Sequence, residues 1–193
     1  LGYLNHYLEQ PVGPGDVLSC FAGLRPLVGT SDGGKTSRIS RDYHLATTTS
    51  GLITLAGGKW TTYRAMGEAA VDKAEAVGHL KYRSSLTRNL KLFDQDETEV
   101  RGIINRTPEL EKALHPNFPW QEAHVIHAVR HQYANRVEDI LSRRLRALPL
   151  NVKAARKMAP RVAELMAGEL DRDDAWQTEQ VAGFRELAAG YLP

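Results

Sequence analysis

Two glycines, a lysine and two threonines form the strongest chemical pattern in the sequence, within the run GGKWTTY. Gly57 and Gly58 allow a backbone to approach a ligand closely. The N–H groups at the start of a helix attract negative charge. Lys59 adds a cation, and Thr61 and Thr62 add two hydroxyl groups. The pattern predicts a site for a negatively charged or electron-rich group, with a plain strand-to-helix turn and a threonine cap as an equal alternative.

Two arginines earlier in the chain are candidates for the same site. Arg25 ends a strand-like run, and Pro26 fixes the backbone after it. Arg41 lies inside a second strand-like run, next to Asp42. A guanidinium group binds phosphate through two parallel hydrogen bonds. Taken singly, each arginine suits a structural salt bridge; convergence of both with Lys59 would predict a phosphate-bearing substrate.

Three histidines and the single cysteine are candidates for metal binding or nucleophilic chemistry. His124, His127 and His131 are spaced to share one side of a helix, and such a stripe can bind a transition metal. No carboxylate follows at ligand spacing, so we expect a partly solvated flank and no metal site. Cys20 lies in a predicted buried strand, which favours an inert core thiol.

Residues 135–161 are strongly basic and contain no aromatic residue. The acidic residues are Glu138 and Asp139 only, and the basic residues are Arg136, Arg143, Arg144, Arg146, Lys153, Arg156, Lys157 and Arg161. We favour a solvated face with internal salt bridges, then docking on acidic lipid or a partner subunit. Nucleic-acid binding ranks last, because base stacking needs aromatic side chains.

The composition is that of an ordinary globular chain. The 193 residues are 42% hydrophobic and 25% charged, with a net charge of +2, which allows one or two domains and gives no indication of a nucleic-acid partner. No apolar run approaches the roughly 20 residues needed to span a bilayer. The first residue is Leu1, so we expect a piece of a longer protein.

Hydrophobic spacing predicts strands and one long helix in the first part of the chain. Strands are expected over 17–24, 39–48 and 52–56, the last buried on both faces. A helix is expected from about residue 60 to 77, ended by Gly78.

Beyond residue 82 the patterns are helical throughout. Helices are expected over 95–105, 107–114, 119–133, 135–147, 151–167 and 173–190. Asn135, with Glu138 in a capping box, and Asn151 are the expected helix caps. The predicted fold class is α+β: an incomplete domain of short mixed or antiparallel strands plus one long helix at 1–82, then an all-α helical domain at 83–193.

Three segments also match a known pattern. They are DVLSCFAGLRPLV (16–28), ISRDYHL (39–45) and SGLITLAGGKWTTYRAMGEAAVDKA (50–74). In this order and spacing they resemble the carboxy-terminal part of FAD-dependent glycerol-3-phosphate dehydrogenases, which are respiratory, quinone-linked flavoenzymes. The GGKWTTYR run is very specific to that family, and residues 124–148 resemble the start of its helical domain.

The resemblance implies an activity and a set of partners. The parent enzyme would oxidise sn-glycerol 3-phosphate to dihydroxyacetone phosphate by hydride transfer to FAD and pass electrons to quinone. It would be cytoplasmic and peripheral to the inner face of the membrane, with an anionic membrane surface and a homodimer as further contacts and no nucleic acid.

The resemblance also implies roles for the candidate residues. Arg25 and Arg41 would bind the substrate phosphate, and Lys59 would be catalytic, beside substrate and flavin. With Lys59, the residues facing the pyrimidine end of the flavin would be Gly57, Gly58, Thr61 and Thr62.

The nucleotide-binding part of such an enzyme is absent from this sequence. No GxGxxG occurs in it, so most of the FAD site would lie upstream. We expect that this chain alone neither holds FAD firmly nor turns over. The alternative is a free-standing helical adaptor whose basic residues 135–161 bind a protein partner, an anionic membrane or nucleic acid.

Overall fold

The structure is a computed structural model that describes residues 1–24, 28, 42–90 and 97–193. The chain forms two compact units: Leu1–Ala22 packs with Gln95–Pro193, and Gly23–Asp94 forms the second unit. Short strands beside one long helix, followed by a helical region, confirm the α+β class. The domain division at residue 82 stays a prediction, because the units reflect packing within this chain alone.

The second unit contains an antiparallel hairpin followed by a long helix. Strand β1 is Tyr43–Thr47 and strand β2 is Ile53–Gly57, in a register that pairs Tyr43 with Gly57. A 3-10 turn at Trp60–Thr62 then leads into helix α1, Tyr63–Val77. The predicted positions of β2 and of this helix are confirmed.

Burial of β2 on both faces is a wrong prediction for this chain. Leu55 is 36% exposed and Leu52, just before the strand, is 64% exposed. The sheet has two strands among the described residues, and none of the five residues of β2 is buried.

Residues 17–24 do not form the predicted buried strand. They have no regular secondary structure and make only isolated backbone bonds to the helices, such as Cys20 N–H to the Tyr191 carbonyl at 2.9 Å. Phe21 is 65% exposed and stacks on Tyr191. Cys20 is exposed, so the prediction of an inert core thiol is also wrong here. A β-like sequence needs a partner strand to be buried, and the described residues provide none.

The helical unit contains five α-helices and several shorter turns among its described residues. The helices are α2 (Glu97–Arg106), α3 (Glu122–His131), α4 (Ala147–Leu150), α5 (Val152–Leu170) and α6 (Asp174–Ala189). Two predicted helices are shorter than expected: a 3-10 turn at Pro108–Glu111 and a π-helical turn at Asp139–Arg144.

The two predicted asparagine caps have different outcomes. Asn151 caps α5, because its side chain accepts the Ala154 N–H at 3.0 Å. Asn135 does not act as a cap. Instead, the Asp139 carboxylate accepts the N–H groups of Asn135 and Arg136, each at 3.0 Å.

The core of this unit lies around α5. Fully buried side chains such as Leu148, Met158 and Met166 pack with Ile140 and Leu141 of the π-helical turn. Helix α5 carries its small and apolar residues on this inner side, and its lysines are exposed. The core therefore fixes which side of α5 faces solvent.

Candidate functional site

The turn between β2 and α1 requires its two glycines. Gly57 has φ +77° and Gly58 has φ +82°, values that strain residues with a Cβ. A Cβ on Gly57 would lie 3.1 Å from the Asp42 carbonyl oxygen, and one on Gly58 would lie 2.6 Å from the Met66 Sδ. Steric packing within this unit therefore accounts for both glycines.

The same turn lies beside the described neighbours of the two predicted arginines. Arg25 and Arg41 themselves lie outside the described residues. Val28, three positions after Arg25, would be 2.9 Å from a Cβ on Gly57, and Asp42 directly follows Arg41. Two separate segments thus meet the turn next to Gly57.

Polar groups of the turn face solvent. Lys59, Trp60 and Thr61 are exposed, and the Trp60 ring stacks on Tyr63 with a centroid separation of 5.2 Å. Among the described residues no acceptor binds the backbone N–H of Gly58 or Lys59. The turn therefore presents one ammonium group and two backbone donors, without a carboxylate in residues 57–63.

Thr62 holds the turn rather than capping the helix. It occupies the N-cap position of α1, but its side chain makes no capping bond. Its hydroxyl instead lies 3.0 Å from the Lys59 carbonyl oxygen and 3.5 Å from the Met66 Sδ. The threonine-cap alternative raised by the sequence is thus not the geometry of this turn.

A cavity of about 630 Å³ lies next to α1, against residues 83–88 and Leu90. Helix residues on this side include Arg64 and Glu68, joined by an ion pair of 2.6 Å. None of the described predicted site residues lines this cavity.

Two of the three histidines of α3 are buried and the third is exposed. His124 is 7% exposed and His127 is 1% exposed, whereas the His131 side chain is 44% exposed, so the predicted flank is solvated at His131 and buried at the other two. Glu99 of α2 lies 3.0 Å from the Nε2 of His127, a carboxylate that is distant in sequence. No group of three potential ligands is arranged to hold a metal among the residues that the structure describes.

His124 gives the helical unit a pH dependence. Burial lowers its pKa below the ordinary value of 6.5, and its Nδ1 accepts the Gln121 N–H at 3.1 Å. The unfolded chain therefore binds a proton at higher pH than the folded chain does. The neutral His124 side chain therefore contributes stability that is fully present above about pH 6.5. That contribution is lost as the pH falls through the lower pKa of His124 in the folded chain.

We expect His124→Gln to weaken this pH dependence. Glutamine at the third helical position can still bond the N-cap backbone, but it does not titrate. Urea unfolding at pH 7.5 and pH 5.0 in both proteins isolates the effect, because the other titrating groups are shared. An identical loss of stability on acidification in both proteins would contradict the assignment to His124.

The basic residues at 135–161 divide into paired and unpaired groups. Arg143 pairs with Glu138 and Asp139, and Arg161 pairs with Glu122. Arg144 donates two hydrogen bonds to the Gln132 carbonyl. Lys153, Arg156 and Lys157 instead line a groove with Pro160 and Arg185. Sequence reasoning missed Arg185, because only packing of α6 against α5 brings it there.

No helix among the described residues is both long and apolar enough to cross a bilayer.

Comparison with known proteins shows the family. The family model for the C-terminal domain of alpha-glycerophosphate oxidase matches residues 48–177. Mitochondrial glycerol-3-phosphate dehydrogenase of Bos taurus is 34% identical over 97% of this chain and 31% of its own length. The Mesocricetus auratus protein is 36% identical over 100% of this chain and 31% of its length. The Arabidopsis thaliana protein is 29% identical over 97% of this chain and 37% of its own length.

The chain thus spans about one third of the length of these relatives. The match includes β2, the glycine turn, α1 and most of the helical unit. The resemblance found in the sequence is confirmed, and the chain belongs to the family of the C-terminal domain of alpha-glycerophosphate oxidase.

Proposed function

We propose that this chain is the carboxy-terminal part of an enzyme that oxidises sn-glycerol 3-phosphate to dihydroxyacetone phosphate. The hydride acceptor is FAD, and quinone takes the electrons at the inner face of the membrane, where the enzyme is peripheral and cytoplasmic. The similar glycerol-3-phosphate dehydrogenases support the reaction class. The turn at residues 57–62 supplies part of the site.

One observation carries the proposal: Val28 and Asp42 both lie against Gly57. These residues follow Arg25 and Arg41 closely in sequence, and the exposed Lys59 is two positions after Gly57. The chain path therefore supports three cations near one turn. Such a cluster suits the doubly charged phosphate ester of the substrate, because each guanidinium can donate two parallel hydrogen bonds.

The donors at the turn also fit the pyrimidine end of a flavin. FAD supplies the hydride acceptor, and reduction adds negative charge near N1 and O2 of its ring. The N–H groups of Gly58 and Lys59 have no acceptor among the described residues. Fixed donors and an ammonium group stabilise such charge where it develops. The structure thus supports a stabilising role for these groups.

Each predicted site residue then has a distinct task. Arg25 and Arg41 bind the substrate phosphate, and Lys59 acts beside the reacting atoms. Gly57 and Gly58 shape the backbone at positions where a side chain would collide with its neighbours. Thr61 is exposed and would face the flavin. The Thr62 hydroxyl donates a hydrogen bond to the Lys59 carbonyl oxygen and so holds the turn.

The test uses the full-length enzyme with glycerol 3-phosphate and a dye acceptor. Arg25→Ala and Arg41→Ala should each raise KM about tenfold or more, because a charge-assisted hydrogen bond contributes about 1.5–3 kcal/mol. Lys59→Ala should lower kcat about 100-fold. Matched controls are Arg88→Ala and Lys73→Ala, both exposed residues of the same unit. Unchanged kinetics in the three site variants would refute the assignment.

A further inference from the structure

A groove between α5 and α6 is lined almost entirely by cations. Its volume is about 450 Å³, and its lining residues are Lys153, Arg156, Lys157, Pro160 and Arg185. Small-molecule sites commonly fall between about 300 and 1,000 Å³. The groove thus has the size of a ligand site and four positive charges.

These four cations have no partner among the residues that the structure describes. No carboxylate lines the groove, and no hydrogen bond or ion pair involves the four side chains. Other arginines of the same unit differ: Arg130 and Arg161 each make two hydrogen bonds to a buried or half-buried carboxylate. The charge of the groove is therefore left uncompensated by the fold.

The position of these cations is also unfavourable for the helix. Lys153, Arg156 and Lys157 lie in the first two turns of α5, which has no acidic residue in its first turn. Lys153 lies in the first turn, where a cation opposes the helix dipole. It also lies three and four residues before Arg156 and Lys157, a spacing at which like charges repel. A local conflict of this kind, with no compensation in the fold, is typical of functional positions.

We propose that this groove binds a soluble oligophosphate, a ligand with two or three linked phosphate groups. Four convergent cations match its charge, and arginines bind phosphate oxygens through paired hydrogen bonds. The cations line an open groove of about 450 Å³, a volume that suits a compact anion. No aromatic residue lines it, which disfavours stacking of nucleic-acid bases. This site is independent of the turn at residues 57–62.

Calorimetric titration of the 193-residue chain with tripolyphosphate tests the proposal. We expect saturable binding at one site, weakened by salt. The Lys157→Gln/Arg185→Gln double variant should lose affinity about tenfold or more, since ionic hydrogen bonds are lost. The control pair Arg101→Gln/Arg172→Gln removes the same charge at exposed positions outside the groove and should change affinity less than about twofold. Equal weakening in both pairs would overturn the proposal.

A soluble ligand and a lipid headgroup are distinguished by sedimentation with phosphatidylglycerol vesicles. Binding to vesicles without binding to tripolyphosphate would refute a soluble ligand.

A thermal measurement relates ligand binding to the repulsion between the charges on α5. In phosphate-free buffer of low ionic strength, Lys153→Gln should raise the Tm by about 2 °C, because it relieves repulsion and the dipole conflict. Saturating tripolyphosphate should abolish that gain, and an unchanged gain would contradict the site.

Discussion

Replacing Arg161 with methionine should lower the free energy of unfolding of the helical unit by about 2–3 kcal/mol. Its guanidinium donates to both carboxylate oxygens of Glu122, at 2.9 and 2.6 Å. Glu122 is only 2% exposed, so methionine leaves a buried carboxylate without its cation. The Arg161 side chain is 41% exposed, and access of water at that end keeps the loss below that of a fully buried pair.

Arg161 stays positively charged in the folded state. Its hydrogen bonds to Glu122 and Glu164 raise the pKa of the guanidinium above its ordinary value. The pair joins the start of α3 to the middle of α5. Loss of the Arg161 cation mainly destabilises the buried Glu122 carboxylate, because Glu164 is 60% exposed and can be solvated.

Urea unfolding of three variants distinguishes this pair from a surface salt bridge. Glu122→Gln/Arg161→Met should recover about half or more of the lost stability, because no buried charge remains. Arg130→Met breaks an ion pair to Glu169 whose arginine is 46% exposed, and it should cost less than about 1 kcal/mol. A cost for Arg161→Met no larger than that for Arg130→Met would contradict a buried charge at Glu122.

Local sequence signals were sufficient where an element depends on its own residues. The apolar spacing and Gly78 located α1, and Asn151 located the start of α5 because its side chain caps that helix. The same reasoning failed for Asn135, because the nearby Asp139 carboxylate accepts the N–H groups of Asn135 and Arg136 instead. Competition between neighbouring polar side chains is decided by geometry, which spacing alone does not give.

Burial could not be predicted because it depends on what covers an element. The apolar runs around Cys20 and Leu55 both resemble core strands, yet both residues are exposed in this chain. Conversely, the sequence predicts a partly solvated flank at the histidines of α3, yet His127 is 1% exposed. Glu99, 28 residues earlier, provides its polar contact. Long-range packing decides each case, and the sequence pattern records only the local periodicity.

The candidate site was predicted in part for the same reason. The residue types of GGKWTTY indicated a donor-rich turn, and the structure has an exposed Lys59 there. The approach of Asp42 to Gly57 depends on the hairpin register, and that of Val28 depends on long-range packing. Local sequence patterns predict neither contact. The groove at Lys153 depends likewise on α6, which brings in Arg185.

Gly57→Ala should destabilise the hairpin by about 2–4 kcal/mol, the sum of left-handed strain and overpacking. The new methyl group would lie 2.9 Å from Val28 Cγ2 and 3.1 Å from the Asp42 carbonyl oxygen. A side chain can rotate away, but the Asp42 oxygen belongs to the backbone beside β1, so relief requires the hairpin to open. Amide exchange of β1 and β2 should therefore accelerate about 30-fold or more.

Gly67→Ala is the matched control for Gly57→Ala, because a Cβ there meets nothing within 4 Å and alanine favours a helix. Exchange that is equally slow in both variants would show that Val28 and Asp42 are not in close contact with Gly57, and the proposed clustering of Arg25 and Arg41 with Lys59 would lose its support.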